Sequence, residues 1–497
     1  MADAGCYLGI DVGSSGVKAM LVDAGGRPLG TASAGYETSY PHPGHVEQNQ
    51  EDWYRAACLA VREVLRSTAV APEQIEAIGL SGTSHVPSLL DDRMRLLRPG
   101  ILWNDIRSEA QVRRLEQEAG GLIRARTGNS VNCTWSLAQL AWVRENEPDL
   151  FSRVRHVLFS KDYLLYRLTG VLAADHSSAV SSLLVEKESL DWDSDLLHLA
   201  RLTPGSVPGI LPSATAIGGL TPEAARDMGL SRDVSVVAGM LDSAAELIGV
   251  GATEPSVAVI RLGTAGGVMT LSGAPAWRNG CMLYPHPIQP LWYYQAGTNA
   301  ATTSLQWALR LLGMSADAGY AELDSLVAAV PPGADGLLFH PYLLGERAPY
   351  WSSRIRGGFS GATIDHGRGA FLRAVQEGVA YSLRDCAGLL DWHAVTNIRL
   401  CGGGAKSASW CRIIADVLGL PVVQMQQQDA SALGAALTAL SGWGRVNLAE
   451  AASAVASASV RIEPDAKHRD VYDTGYRRYR ALADQYLETF EDAPDRS

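Results

Sequence analysis

Short apolar runs closed by glycine-rich turns recur along the first half of the chain. Residues 7–10 and 19–22 are apolar stretches of strand length, and the small-residue segment between them predicts a β-hairpin. Residues 52–67 carry apolar positions at helical spacing with few breakers, which predicts a helix. Residues 75–80 read as a strand ending in Ser81-Gly82-Thr83-Ser84-His85. Helices are predicted over 136–144 and 161–168. Residues 204–222, rich in Gly, Pro and Thr, read as a connecting or irregular segment. A further strand at 234–237 is closed by Ala238-Gly239-Met240-Leu241-Asp242.

The second half begins the same way. An apolar run at 257–260 leads into Arg261-Leu262-Gly263-Thr264-Ala265-Gly266-Gly267, just as 6–10 leads into Asp11-Val12-Gly13-Ser14-Ser15-Gly16-Val17-Lys18. A helix over 369–390 and a strand at 398–400 follow, the latter running into Cys401-Gly402-Gly403-Gly404-Ala405-Lys406. Strands alternating with helices, twice over, predict α/β lobes whose loops gather at strand ends, where ligands bind. Glycine with Ser or Thr after a strand makes a tight turn whose N–H groups and hydroxyls hold phosphate oxygens. Two such turns facing each other across a cleft would grip a nucleotide from both sides. The duplication points to an ATP-using enzyme.

Composition narrows the class. A chain of 497 residues exceeds a single core and implies two large lobes or several smaller domains. With 47% apolar and 19% charged residues it reads as globular, and a net charge of −11 argues against nucleic-acid binding. The seven cysteines (6, 58, 133, 281, 386, 401 and 411) are scattered without a C-x-x-C pair, as expected of reduced thiols in a cytoplasmic protein. From Met1-Ala2-Asp3-Ala4, without a basic region and long apolar segment, no signal peptide is expected, and because the most apolar longer window, 234–252, contains Asp242 and Glu246, no membrane span is expected either. Apart from a small-residue stretch at 451–459, no repeat or low-complexity block is seen.

From about Tyr7 to about Leu440 the chain resembles the FGGY carbohydrate kinases of the actin-like ATPase superfamily, in particular their xylulokinase branch. The resemblance rests on ordered motifs: the segment from Gly9 to Lys18, Leu102-Trp103-Asn104-Asp105-Ile106-Arg107, Lys161-Asp162-Tyr163-Leu164, and Ala238-Gly239-Met240-Leu241-Asp242. Leu262-Gly263-Thr264-Ala265-Gly266, Tyr342-Leu343-Leu344-Gly345-Glu346-Arg347-Ala348-Pro349 and Gly402-Gly403-Gly404-Ala405 complete the set. It implies two actin-like (ribonuclease H-like) α/β lobes, roughly 1–245 and 246–497, closing on ATP and a small sugar.

Phosphoryl transfer to an alcohol needs charge neutralisation at the γ-phosphate, in-line placement of the hydroxyl and a carboxylate to take its proton. The resemblance assigns that last role to Asp242, which also suits a helix N-cap. Asp11, at a strand end before the first turn, is expected to orient Mg²⁺, the alternative being a turn cap. Gly13, Ser14, Ser15, Gly263, Thr264 and Gly266 would line the phosphate path, with Lys18 a candidate for added positive charge. The resemblance puts adenine at Gly403, Gly404 and Ala405. Ser84, His85, Trp103, Asn104, Asp105, Asp242 and Ser243 are expected to line the sugar pocket, polar groups beside an aromatic wall. Asp162 and Asp175 are expected to act as caps or turn residues, and Glu346-Arg347 as an internal ion pair.

Departures from the xylulokinase pattern fall at that pocket: Ser243 where the family carries Asn, and Thr83-Ser84-His85 where it carries Gln-Met-His. A third, Gln139 in place of Lys, lies in the mid-domain helix. Phosphorylation of a terminal hydroxyl of a pentulose such as D-xylulose is the expected activity. Ribulose, a deoxy-pentulose, glycerol or erythritol are alternative substrates, and an actin- or chaperone-like ATPase is a rival of another class. The oligomeric state stays open, a homodimer being one expectation.

Overall fold

The structure is a computed structural model that describes residues 5–315, 319–425, 427, 429–455 and 459–491. Residues 1–4, which bear on the N-terminus, and part of the 451–459 stretch lie outside the described residues.

Two mixed sheets carry the fold. In the first, β1 (Cys6–Val12), β2 (Gly16–Val22) and β3 (Pro28–Gly35) run as an antiparallel meander, and β4 (Ile75–Gly82) lies parallel to β1 on its other side. Beyond β4 come β5 (Ala216–Gly218), β6 (Ser235–Val237) and β7 (Met240–Leu241). The second sheet repeats the scheme. There β8 (Val257–Leu262) and β9 (Gly266–Ser272) form the hairpin, and β10 (Met282–Pro285) and β11 (Trp292–Thr298) extend it. On the other side β12 (Asn397–Cys401) lies parallel to β8, followed by β13 (Val422–Met425) and β14 (Ser459–Ile462).

Alternation along the central strands explains how the layers meet. On β1, Leu8, Ile10 and Val12 enter a core beneath helix α1 (Gln50–Thr68), whereas Tyr7 belongs to a core shared by both sheets. On β8, Val257 and Val259 face that same shared core, while Ala258, Ile260 and Leu262 point into the second half's own core. Asp11 and Arg261 each continue the row that faces the shared core.

Two helices fill the space between the sheets. Helix α2 (Asp242–Gly249) follows β7 directly. Farther on, α3 (Thr302–Leu311) and α4 (Arg368–Gly388) pack together in the second half's core. Helix α5 (Ala430–Gly442), from the second half of the sequence, packs on α2, β1 and β4. The approach is close because the contact points are glycines. A Cβ at Gly9 would overlap the Ala432 carbonyl oxygen, and one at Gly434 would overlap the Ala245 carbonyl oxygen.

Most expected elements are present: the helix expected over 52–67 is α1, and that over 369–390 is α4. The segment 204–222 differs, since it holds Gly209–Leu211, paired parallel with Ala173–Asp175, and β5 at the edge of the first sheet. Edge strands of three residues need little apolar sequence, and Gly and Pro are tolerated there.

Candidate active site

The two turns are built differently although their strands correspond. In the first, Gly13 N–H donates to the Gly16 carbonyl at 3.0 Å. The Tyr36 hydroxyl donates to the Gly13 carbonyl, and Gln48 Nε2 to the Ser14 carbonyl at 2.8 Å, leaving Ser14 and Ser15 exposed. The second turn is bound to the start of α3: Ala301 N–H donates to the Thr264 carbonyl, and Thr302 N–H and hydroxyl donate to the Gly263 carbonyl, each at 2.9 Å. Gly266 is buried, while Thr264 is exposed. The glycine loop 402–405 lies against this turn. Gly402 has φ 87°, and a Cβ there would meet the Leu262 carbonyl oxygen at 2.7 Å. In that loop Gly403 is exposed and Gly404 and Ala405 are buried, with the Ala405 carbonyl accepting from Gln424 Nε2 at 2.6 Å.

Between the turns stands a cluster of charges. Strand pairing sets Asp11 beside Ser81, whose hydroxyl donates to Asp11 Oδ1 at 2.6 Å. Strand β7 pairs with β4 at Ser81 and Gly82, which brings Asp242 to the same strand ends. There Asp242 Oδ1 accepts from the Ser84 hydroxyl at 3.2 Å and from Ser243 N–H at 2.8 Å. One turn of α2 later, Glu246 Oε1 accepts from the Cys401 thiol at 3.2 Å, and Oε2 lies 3.7 Å from Arg261 Nη1. Three carboxylates thus face one guanidinium. Burial pushes the Asp11 carboxyl up to about 6, reinforced by the Asp242 charge and opposed by the Ser81 hydrogen bond. Burial raises the Asp242 carboxyl as well, and Arg261 is the largest influence holding it down. Arg261 itself is held protonated, chiefly by Glu246.

The residues expected around the sugar divide into two groups. Ser84 reaches Asp242, and Trp103 is half-buried with the Arg347 guanidinium 5.4 Å from its ring centre. Asn104 is exposed. His85, Asp105 and Ser243 instead spend their polar atoms inside the protein. His85, at φ 68°, is 3% exposed, its ring nitrogens bonded to the Ser181 carbonyl and the Tyr284 hydroxyl, both at 2.9 Å. Burial lowers its pKa to about 4, so it is neutral. Asp105 accepts from Val46 N–H at 2.6 Å and from the Arg107 guanidinium at 2.7 Å. Ser243 is buried against the Tyr293 hydroxyl at 2.8 Å. Lys18 is ion-paired to Asp429, before α5.

Other expectations resolve similarly. Asp175 caps a helix, accepting Ser177 and Ser178 N–H, and with Asp162 it also holds the fully buried Lys161. Glu346 accepts from Thr298, Asn299 N–H and Arg347 N–H, while the Arg347 guanidinium donates to the Thr298 carbonyl at 3.1 Å.

Sequence reasoning passed over Tyr284, Tyr293, Trp135 and Arg261. Trp135 packs edge-on to His85, with ring centres 4.6 Å apart, and Tyr284 stacks on Tyr293 at 5.3 Å. These rings carry no motif. Their apposition comes from the second sheet meeting the first half. A separate groove of about 650 Å³ on the first half, lined by Asn49, Glu51, Arg98, Tyr163 and Arg167 among others, contains none of the candidate site residues. Among the described residues no helix is long and apolar enough to cross a membrane.

Comparison with known proteins identifies the arrangement. Residues 6–249 match the N-terminal domain of the FGGY family of carbohydrate kinases, and residues 258–443 match its C-terminal domain. The chain is 32% identical over 484 residues to a xylulose kinase of Staphylococcus epidermidis, with 96% of each chain covered. It is 29% identical over 506 residues to a gluconokinase of Bacillus subtilis, covering 97% of each. A crystal structure described as a xyloylose kinase from Brucella ovis matches with a TM-score of 0.88 at 33% identity, covering 97% of this chain and 100% of that one. The chain therefore belongs to the FGGY family of carbohydrate kinases and is an ATP-dependent sugar kinase.

Proposed function

We propose that this kinase phosphorylates a terminal hydroxyl of a pentulose, D-xylulose first among them, with Asp242 as general base. The observation that carries the reading is Asp242 itself. It is a half-buried carboxylate at a strand end, steadied by Ser84 and Ser243 N–H, with a turn from each sheet on either side. As the hydroxyl oxygen bonds to the γ-phosphorus, its proton passes to Asp242. The bond from the γ-phosphorus to the bridging oxygen breaks, and the electron pair leaves with ADP. The exposed Ser14, Ser15 and Thr264, with Gly13, Gly263 and Gly266, would hold phosphate oxygens, and the 403–405 loop the adenine.

Magnesium fits the donor set. Among the described residues no group of three or more His, Cys, Asp or Glu is arranged to hold a metal by itself. A single carboxylate such as Asp11, fixed by Ser81, suits a cation that brings phosphate oxygens and waters of its own. Bound there with ATP, Mg²⁺ would neutralise phosphate charge.

Trp103, under Arg347, offers the sugar an apolar wall. Ser84 and Asn104 offer polar contacts, and His85, Asp105 and Ser243 fix the pocket from behind. The relatives named xylulose kinase favour a pentulose. The test is a panel of sugars with MgATP, reading ADP release and locating the phosphate by NMR. D-xylulose should give the highest kcat/KM and carry phosphate on its terminal carbon. A strong preference for gluconate, glycerol or erythritol would overturn the pentulose assignment.

A further inference from the structure

We propose that Arg261 is the cation that meets the transferred phosphoryl group, and that Glu246 is the residue that positions it. The proposal rests on the phosphoryl-transfer reading above, and three observations carry it.

Arg261 is the last residue of β8 but one, two positions before Gly263 of the second turn. By alternation it follows Val257 and Val259 onto the face toward the shared core, so its side chain enters the space between the sheets rather than the second half's own core. That is the position Asp11 holds on β1.

Its partner is then unusual. Glu246 is 5% exposed, and its Oε2 has no hydrogen-bond partner although it is buried. The same oxygen stands 3.7 Å from Arg261 Nη1, too long for a hydrogen bond but close enough to aim a guanidinium. The other oxygen is fixed by the Cys401 thiol, which strand register places directly beside Arg261. A guanidinium steered this way without being consumed keeps donors for a ligand. A planar group with several N–H donors suits an equatorially spread phosphoryl charge.

Lys18, the cation expected for this role from the sequence, is engaged by Asp429. Arg261 therefore supplies positive charge beside Asp242 from the opposite sheet. When the γ-phosphoryl loosens from ADP, the guanidinium offsets the charge on its oxygens.

The test compares Arg261→Ala, Arg261→Lys, Glu246→Gln and the double variant Arg261→Ala/Glu246→Gln with the wild type. It reads kcat, sugar KM, MgADP affinity and thermal melting. Arg261→Ala should lower kcat about 10²–10³-fold while sugar KM and MgADP Kd stay within about fivefold. Guanidinium ion should restore part of that loss, Arg261→Lys should fall between, and Glu246→Gln should lose about tenfold.

If Arg261 serves only to neutralise a buried Glu246, the double variant regains wild-type kcat. That result, or an unchanged kcat in Arg261→Ala, overturns the proposal. Should Arg261→Ala fail to fold, the double variant, which leaves no unpaired carboxylate, takes its place, and wild-type kcat there is again the contrary result. Should the wild type phosphorylate no sugar, the sugar-kinase reading falls. The Arg261 proposal is then read on ATP hydrolysis, where the same loss supports it and an unchanged rate refutes it.

Discussion

The first and second turns of this kinase are the same device with opposite charge. Both close a β-hairpin whose first strand lies parallel to a third strand, and both follow a residue facing the core between the sheets. In the first half that residue is Asp11, in the second Arg261. The surroundings differ to match. The first turn is held by the side chains of Tyr36 and Gln48 from elsewhere in its own half, while the second is tied to the start of α3 by the Ala301 and Thr302 N–H groups and the Thr302 and Thr303 hydroxyls. In the proposed function, a duplicated backbone would supply the phosphate grip twice, and single residues at corresponding positions would divide the electrostatic work. The carboxylate suits a hydrated cation and the guanidinium a phosphoryl group.

The packing beneath the strands differs as well, and its disruption should give the largest effect. Gly9, one alternation before Asp11, lies under α5, whereas Val259 holds the corresponding place on β8. Gly9→Val makes the strands alike and should cost at least about 3 kcal/mol in urea unfolding, because a backbone carbonyl and not a pliable side chain stands in the way. A variant of unchanged stability would break the comparison at its base.

Next in size is the response to acid, which should separate the turns. With its carboxyl raised to about 6, Asp11 is half protonated near that pH and increasingly so below it, while Arg261 stays charged. The apparent Mg²⁺ requirement should climb by up to about tenfold per pH unit below pH 6, with the same slope in Arg261→Lys. Magnesium titrations at pH 7 and pH 5 check this, and a flat response would remove Asp11 from the cation site.

Smaller again, Ser81→Ala removes the 2.6 Å hydrogen bond that orients Asp11. It should weaken the Mg²⁺ response about five- to tenfold without altering sugar KM. An unchanged titration would show that Asp11 needs no such support. Last, Lys18→Ala breaks a pair whose lysine is 47% exposed, and kcat should change less than about fivefold. A loss of 10² or more would return the phosphate-cation role to Lys18.

Much of this was legible in the chain. The first hairpin, both glycine-hydroxyl turns and the strands at 75–80 and 398–400 announce themselves because apolar period and turn chemistry agree locally. Asp242 stood out as a carboxylate between a strand and a helix. What stayed hidden depends on which face meets which. Arg261 looks like an ordinary strand-end charge until Glu246 of α2 is known to stand beside it. Helix α5 is so rich in Ala and Gly that its sequence has no polar stripe to say where it docks, and it docks on the other half's sheet. His85 and Asp105 read as free ligand contacts because the groups that occupy them, Ser181, Tyr284 and Val46, lie far away in sequence.

The most direct trial of the account is Asp242→Asn, an isosteric change that keeps the fold and removes the proton acceptor. MgATP affinity measured by calorimetry should stay within about fivefold of wild type, while sugar phosphorylation falls about 10³–10⁴-fold. Turnover within tenfold of wild type, with the nucleotide still bound, would contradict the claim that the two turns converge on this carboxylate to transfer phosphate.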